Sequence, residues 1–150
     1  MNEHTIQEGN RIIAEFWGYK LQPADTGWRY FFRGYVEHYY IENCNHPVYK
    51  NRTHRTLLKN MRFDIDWSWL MPVVEMIERM GYSLDNSATV RFNPLDNYDT
   101  SKIEYVCDIS DNKKELVVDS FFSYPEKETK ILATWFAVVQ FIKWHNNKTK

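Results

Sequence analysis

Residues 66–82, DWSWLMPVVEMIERMGY, decide the fold. Trp67, Leu70, Met71, Val74 and Ile77 recur at steps of three and four, which places them on one face of an α-helix. Val73, Met76 and Met80 widen that face, as suits a helix pressed broadly against a sheet or two other elements. Glu75, Glu78 and Arg79 form a thin polar back. Asp66 stands where an N-cap belongs, its carboxylate able to accept from the free N–H groups of the first turn. Gly81 stands where a left-handed C-terminal cap closes a helix. Pro72 removes one backbone hydrogen bond, which predicts a kink there or the start of the regular part.

Moving toward the amino terminus, TIQEGNRIIAEFW (5–17) reads as a first helix. Thr5 with Glu8 makes a capping box, Ile6, Ile13, Phe16 and Trp17 fall near one face, and Gly18 ends it. Pro23, Asp25 and Gly27 predict a loop over 19–27. From Trp28 to Ile41 the chain is aromatic and β-prone, with strands expected near 28–33 and 35–41. Residues 42–63 are polar and long for a loop without structure of its own, so a short helix around 53–60 or a functional role is expected.

Toward the carboxyl terminus, short β-prone runs at 82–84, 87–92, 102–109 and 114–122 are separated by Asp96-Asn97 and Asp111-Asn112, turn formers that suit antiparallel hairpins. In KIEYVCDIS (102–110), Ile103, Tyr105, Cys107 and Ile109 alternate with polar residues, one face in and one out. A last helix is expected over 129–146, with Ile131, Leu132, Trp135, Val138, Val139 and Ile142 building a wide apolar face. Lys143, Lys148 and Lys150 near its end suit the helix dipole. Three helices packed on an antiparallel β-sheet make α+β the expected class, arranged as an α/β/α sandwich. The length of 150 residues predicts a single domain.

Composition narrows the function classes. The net charge is −1, so nothing global points to nucleic acid or a membrane. Residues 28–63, however, hold seven Lys or Arg against two Glu, a local excess of five positive charges. Two cysteines are too few for a disulfide framework, and the first residues lack the charged-then-apolar pattern of a signal peptide. No apolar run approaches the length of about 18 residues that spans a bilayer. The expectation is a soluble protein of a reducing cytoplasm.

Three blocks, IAEFWGYK (13–20), DWSWLMPVVEMIERMGY (66–82) and ILATWFAVVQFIKWHN (131–146), together resemble the phage ABA sandwich domain family of small phage and prophage proteins. Trp67, Trp69–Val74, Glu75, Ile77 and Glu78 match its central helix. Ala137–Val139, Phe141–Trp144 and Asn146 match its closing block, with His145 in place of a tyrosine. The resemblance implies an α/β/α sandwich of phage or prophage origin in the host cytoplasm, and carries no biochemical activity with it. The matched positions are mostly apolar and read as core.

Two surfaces remain as candidates. Trp28, Tyr30, Phe31, Tyr35, Tyr39 and Tyr40 are too many rings for a short hairpin to bury, and predict a protein partner or self-association. The alternative is single-stranded nucleic acid, with Lys50, Arg52, Arg55, Lys59 and Arg62 neutralising phosphates and Tyr39, Tyr40 and Tyr49 stacking on bases. The bland reading of that stretch is a solvated loop whose charges balance acids elsewhere.

Other constellations are weaker. His38, Cys44, His46 and His54 are ligand types zinc accepts, at a spacing that fits no recurrent knuckle or finger, so no metal is expected. Asp64, Asp66, Asp96, Asp99, Asp108 and Asp111 sit where caps and turn formers belong. Neither cysteine has a motif-level histidine partner, and no phosphate-cradling glycine motif occurs. The sequence predicts no catalytic residue and no cofactor: an accessory protein that works through contact.

Overall fold

A computed structural model of the chain describes residues 2–21, 38–42, 44, 46, 52–91, 102–119 and 129–150. The expected strand at 28–33, residues 35–37 of that expected at 35–41, and the Asp96-Asn97 turn lie outside the described residues. The described part is α+β, with three α-helices and two antiparallel three-stranded sheets. It divides into two compact units, Met1–Val73 and Val74–Lys150.

In the first unit, α1 (Glu3–Trp17) is capped by Asn2, whose side chain accepts from the Thr5 N–H and hydroxyl. This corrects the expected capping box: the helix starts two residues earlier, because Asn accepts the N3 amide as well as Thr does. Gly18 closes it at φ +108°, its N–H donating to the Ala14 and Glu15 carbonyls. The chain then enters β1 (Lys20–Leu21), which pairs with β2 (His38–Ile41), which pairs with β3 (His54–Leu57). A single 3-10 turn, Leu58–Asn60, follows. The helix expected around 53–60 is therefore a strand with a short turn behind it, since pairing with β2 supplies the backbone partners that helix propensity would otherwise supply. Edge-to-face rings run through this unit's core, from Tyr19 to Trp17, on to Phe63, and from Phe63 to Trp69.

The helix α2 (Trp67–Arg79) is the one the sequence placed, with Pro72 inside it and Gly81 beyond its end at φ +96°. Its buried stripe is Trp69, Leu70, Val73, Val74 and Ile77. Trp67 is 38% exposed and Met71 39%, where the sequence put both on the core face. Two tryptophans two residues apart lie about 200° apart around a helix, so only one can face the core. The winner is Trp69, and Trp67 and Met71 share the outer side with Glu75.

In the second unit, β4 (Ser83–Arg91), β5 (Lys102–Ser110) and β6 (Leu116–Val118) form a meander, with a register shift at Ile109/Ser110. The two short runs expected at 82–84 and 87–92 are one strand. Asp111 closes the β5–β6 turn as expected, accepting from the Lys113 and Glu115 N–H groups. The helix α3 (Lys130–Lys148), capped by the Thr129 hydroxyl, packs on this sheet with Trp135, Val138, Phe141 and Ile142 buried.

Candidate functional site

The sheet of the first unit has two unlike faces, and the pairing register assigns residues to each. Side chains alternate along a strand, and directly opposed residues share a face. One row runs Leu21, Tyr39, Thr56. The next runs Lys20, Tyr40, Arg55. Tyr39 is 1% exposed and Ile41 is buried, so their face is the inner one; it also carries His54, opposite Ile41. Tyr40 therefore points outward, half-buried, with exposed Lys20 on one side and exposed Arg55 on the other. Opposed Cβ atoms in such a pair sit about 5 Å apart, so the Lys20 and Arg55 side chains leave the sheet on either side of Tyr40.

Arg52 precedes β3, Lys59 lies in the 3-10 turn and Arg62 just after it, all three exposed. Among the described residues none of Lys20, Arg52, Arg55, Lys59 and Arg62 forms an ion pair. The charges are thus available to an incoming ligand. Lys50, Tyr49, Trp28, Tyr30, Phe31 and Tyr35 lie outside the described residues. Tyr39 is a correction on both candidate surfaces, because its ring is sealed in the core and cannot meet a base or a partner. Lys20 was not among the candidates from sequence. No local signal marks it, since only strand pairing brings it beside Tyr40.

Behind the inner face lies a polar cluster. The Tyr19 hydroxyl is 2.8 Å from His54 Nδ1 and 4.0 Å from the Cys44 sulfur, which also accepts the His46 N–H at 3.4 Å. His46 and His54 both pack edge-on against the Trp69 indole, at 5.2 Å and 5.7 Å. Ser68 Oγ lies 2.6 Å from Asp66 Oδ1, to which it donates, and 3.4 Å from His46 Nε2. A hydroxyl has one proton, so with that proton on Asp66 the contact to His46 requires its Nε2–H to donate.

This order of histidine, serine and aspartate is the reverse of a nucleophile's. An activated serine gives its proton to the imidazole, whereas here the proton faces the carboxylate and Asp66 also accepts the Ser68 N–H at 2.9 Å to cap α2. Burial holds His46 below the ordinary histidine value, opposed by the Asp66 carboxylate. Burial lowers His54 as well, and charge on His46 lowers it further. The Ser68 hydroxyl, against some desolvation, holds Asp66 below the usual carboxylate range, with help from the Ser68 N–H, Arg62 and His46. Asp64, also buried, accepts from the Asn10 amide at 3.0 Å.

The four residues of zinc-ligand type do not converge. His38 is on the outward face and His54 on the inner, and among the described residues no three His, Cys, Asp or Glu side chains are grouped to hold a metal. Among them, too, no helix is long and apolar enough to cross a membrane. Comparison with protein families, with curated proteins and with solved structures finds no match to this chain.

Proposed function

We propose that the chain is a small phage or prophage accessory protein of the host cytoplasm that works by binding, and that the outward face of β1–β3 takes single-stranded nucleic acid. The carrying observation is the row Lys20, Tyr40, Arg55: one aromatic ring between two unpaired cations on a sheet face turned away from the core. A base stacks on any aromatic face, and the flanking charges displace the strand's counterions. Arg52, Lys59 and Arg62 continue the positive charge along the same segment. The test is titration of a labelled oligothymidylate with the full chain at 50 and 200 mM salt. Five phosphate contacts predict an affinity about a hundredfold weaker at the higher salt. Absence of binding at 50 mM removes the reading.

A protein partner is the second reading, supported by the exposure of Ile65, Trp67 and Met71 in the first unit. Light scattering of the wild type against Trp67→Ser tests its self-association form: a mass above one chain that falls in the variant supports it, and a monomer in both argues against it.

A further inference from the structure

Tyr40 does not stand alone on the outward face of the first unit's sheet. Side chains two apart on a strand share a face, so His38 emerges beside Tyr40, with about 6.6 Å between their Cα atoms along β2. His38 is half-buried, as Tyr40 is, and its partner across the ladder is Leu57 on β3, also half-buried. Cations stand opposite Tyr40, and an aliphatic side chain stands opposite His38. The face therefore presents two rings in succession, one set among charges and one beside an apolar group.

The two ends of this row differ in charge. The strand β3 runs antiparallel to β2, so Leu57 lies at the His38 end of the sheet, and Lys59 and Arg62 follow it in the chain, both exposed. At the other end Glu42 comes directly after β2, exposed, and Arg52 precedes β3, so the charges there cancel. A polyanion crossing Tyr40 therefore gains charge contacts by continuing past His38, and none on net by continuing past Glu42. The imidazole it meets on that path is a flat aromatic ring, one of the side chains on which unpaired bases stack.

We propose that His38 is the second stacking platform of the outward face, so that the site takes two successive bases of a single strand, one on Tyr40 and one on His38. The inference rests on the nucleic-acid reading of this face and adds to it a residue that the charges alone do not call for. Tyr40 with Lys20 and Arg55 holds one nucleotide, whereas two rings in line on one strand hold adjacent bases and leave the phosphates to the cations around them. The part played by His38 is that of a flat ring and not of a charge, so another aromatic ring replaces it.

The test is titration of a labelled oligothymidylate with the full chain at 50 mM salt, for the wild type, His38→Ala and His38→Phe. The loss of one stacked base predicts binding weaker by about 5-fold or more for His38→Ala, with His38→Phe within about twofold of the wild type. A wild type that binds, with His38→Ala equally tight, overturns the second platform and leaves Tyr40 as a site for one base. A His38→Phe variant as weak as His38→Ala overturns it too. No binding by the wild type removes the nucleic-acid reading of the whole face, and this inference with it. Should His38→Ala fail to fold, the wild type decides, with an abasic octamer backbone carrying two adjacent thymines compared with the same backbone carrying one. The phosphates are then equal, and binding at least about fivefold tighter for the pair of thymines supports the two-base site. Affinities within about twofold of each other overturn it.

Discussion

Asn10 puts an amide into the buried side of a helix, and its two donors account for it, one on the Met61 carbonyl at 3.2 Å and one on Asp64 at 3.0 Å. Asn10→Ala leaves a carbonyl and a carboxylate without that partner in a dry place, at an expected cost of about 2–4 kcal/mol in urea unfolding. A loss below about 0.5 kcal/mol would mean that water takes over both bonds. Asp66 works at a helix end instead. Asp66→Ala removes the acceptor of the Ser68 N–H and should cost about 1 kcal/mol at pH 7. Because the folded carboxyl is held low, its contribution is present above about pH 4 and lost as the pH falls through its folded value, so wild type and variant should converge there.

At the scale of elements, α2 shows what periodicity delivers and where it stops. Leu70, Val73, Val74 and Ile77 are buried as their spacing requires, while the choice between Trp67 and Trp69 depends on what the helix meets. Ile77→Ala should cost about 2–5 kcal/mol and Met71→Ala less than about 0.5, measured side by side by chemical unfolding. The reverse order would return Met71 to the core. Gly18 tests the α1 terminus. An added Cβ would sit 3.7 Å from Ile41 Cδ1, an ordinary contact, so Gly18→Ala isolates the backbone cost of φ +108° at about 1–2 kcal/mol in the same assay. The strand β3 was the element least visible beforehand. His54-Arg55-Thr56-Leu57 has neither alternation nor β-branched density, and its extended form depends on Tyr39 and Tyr40 across the ladder.

For the molecule as a whole, the helices and the α+β class were legible because caps and apolar spacing are local. Asp66, Gly18 and Gly81 act within a turn or so of where they stand in sequence, whereas the first helix is capped by Asn2 and not by the expected Thr5. The candidate site was half legible. Arg52, Arg55, Lys59, Arg62 and Tyr40 stand out by type, but Lys20 joins Tyr40 only through a ladder twenty residues away in sequence. Tyr39 differs from its neighbour Tyr40 only in the face the pleat gives it. The cluster of Tyr19, Cys44, His46, His54 and Ser68 has no sequence pattern, since its members come from four separate stretches of chain.

The claim on which this account turns is that Tyr40 between Lys20 and Arg55 is a landing place for a single strand. Its most direct test is the affinity of Tyr40→Ala for a labelled oligothymidylate at 50 mM salt, beside Lys143→Ala, which removes an exposed cation from α3 in the second unit. Loss of one stacking platform predicts weakening of about 5- to 150-fold for Tyr40→Ala, with Lys143→Ala unchanged within about twofold. Equal affinities for the two variants and the wild type would contradict the account.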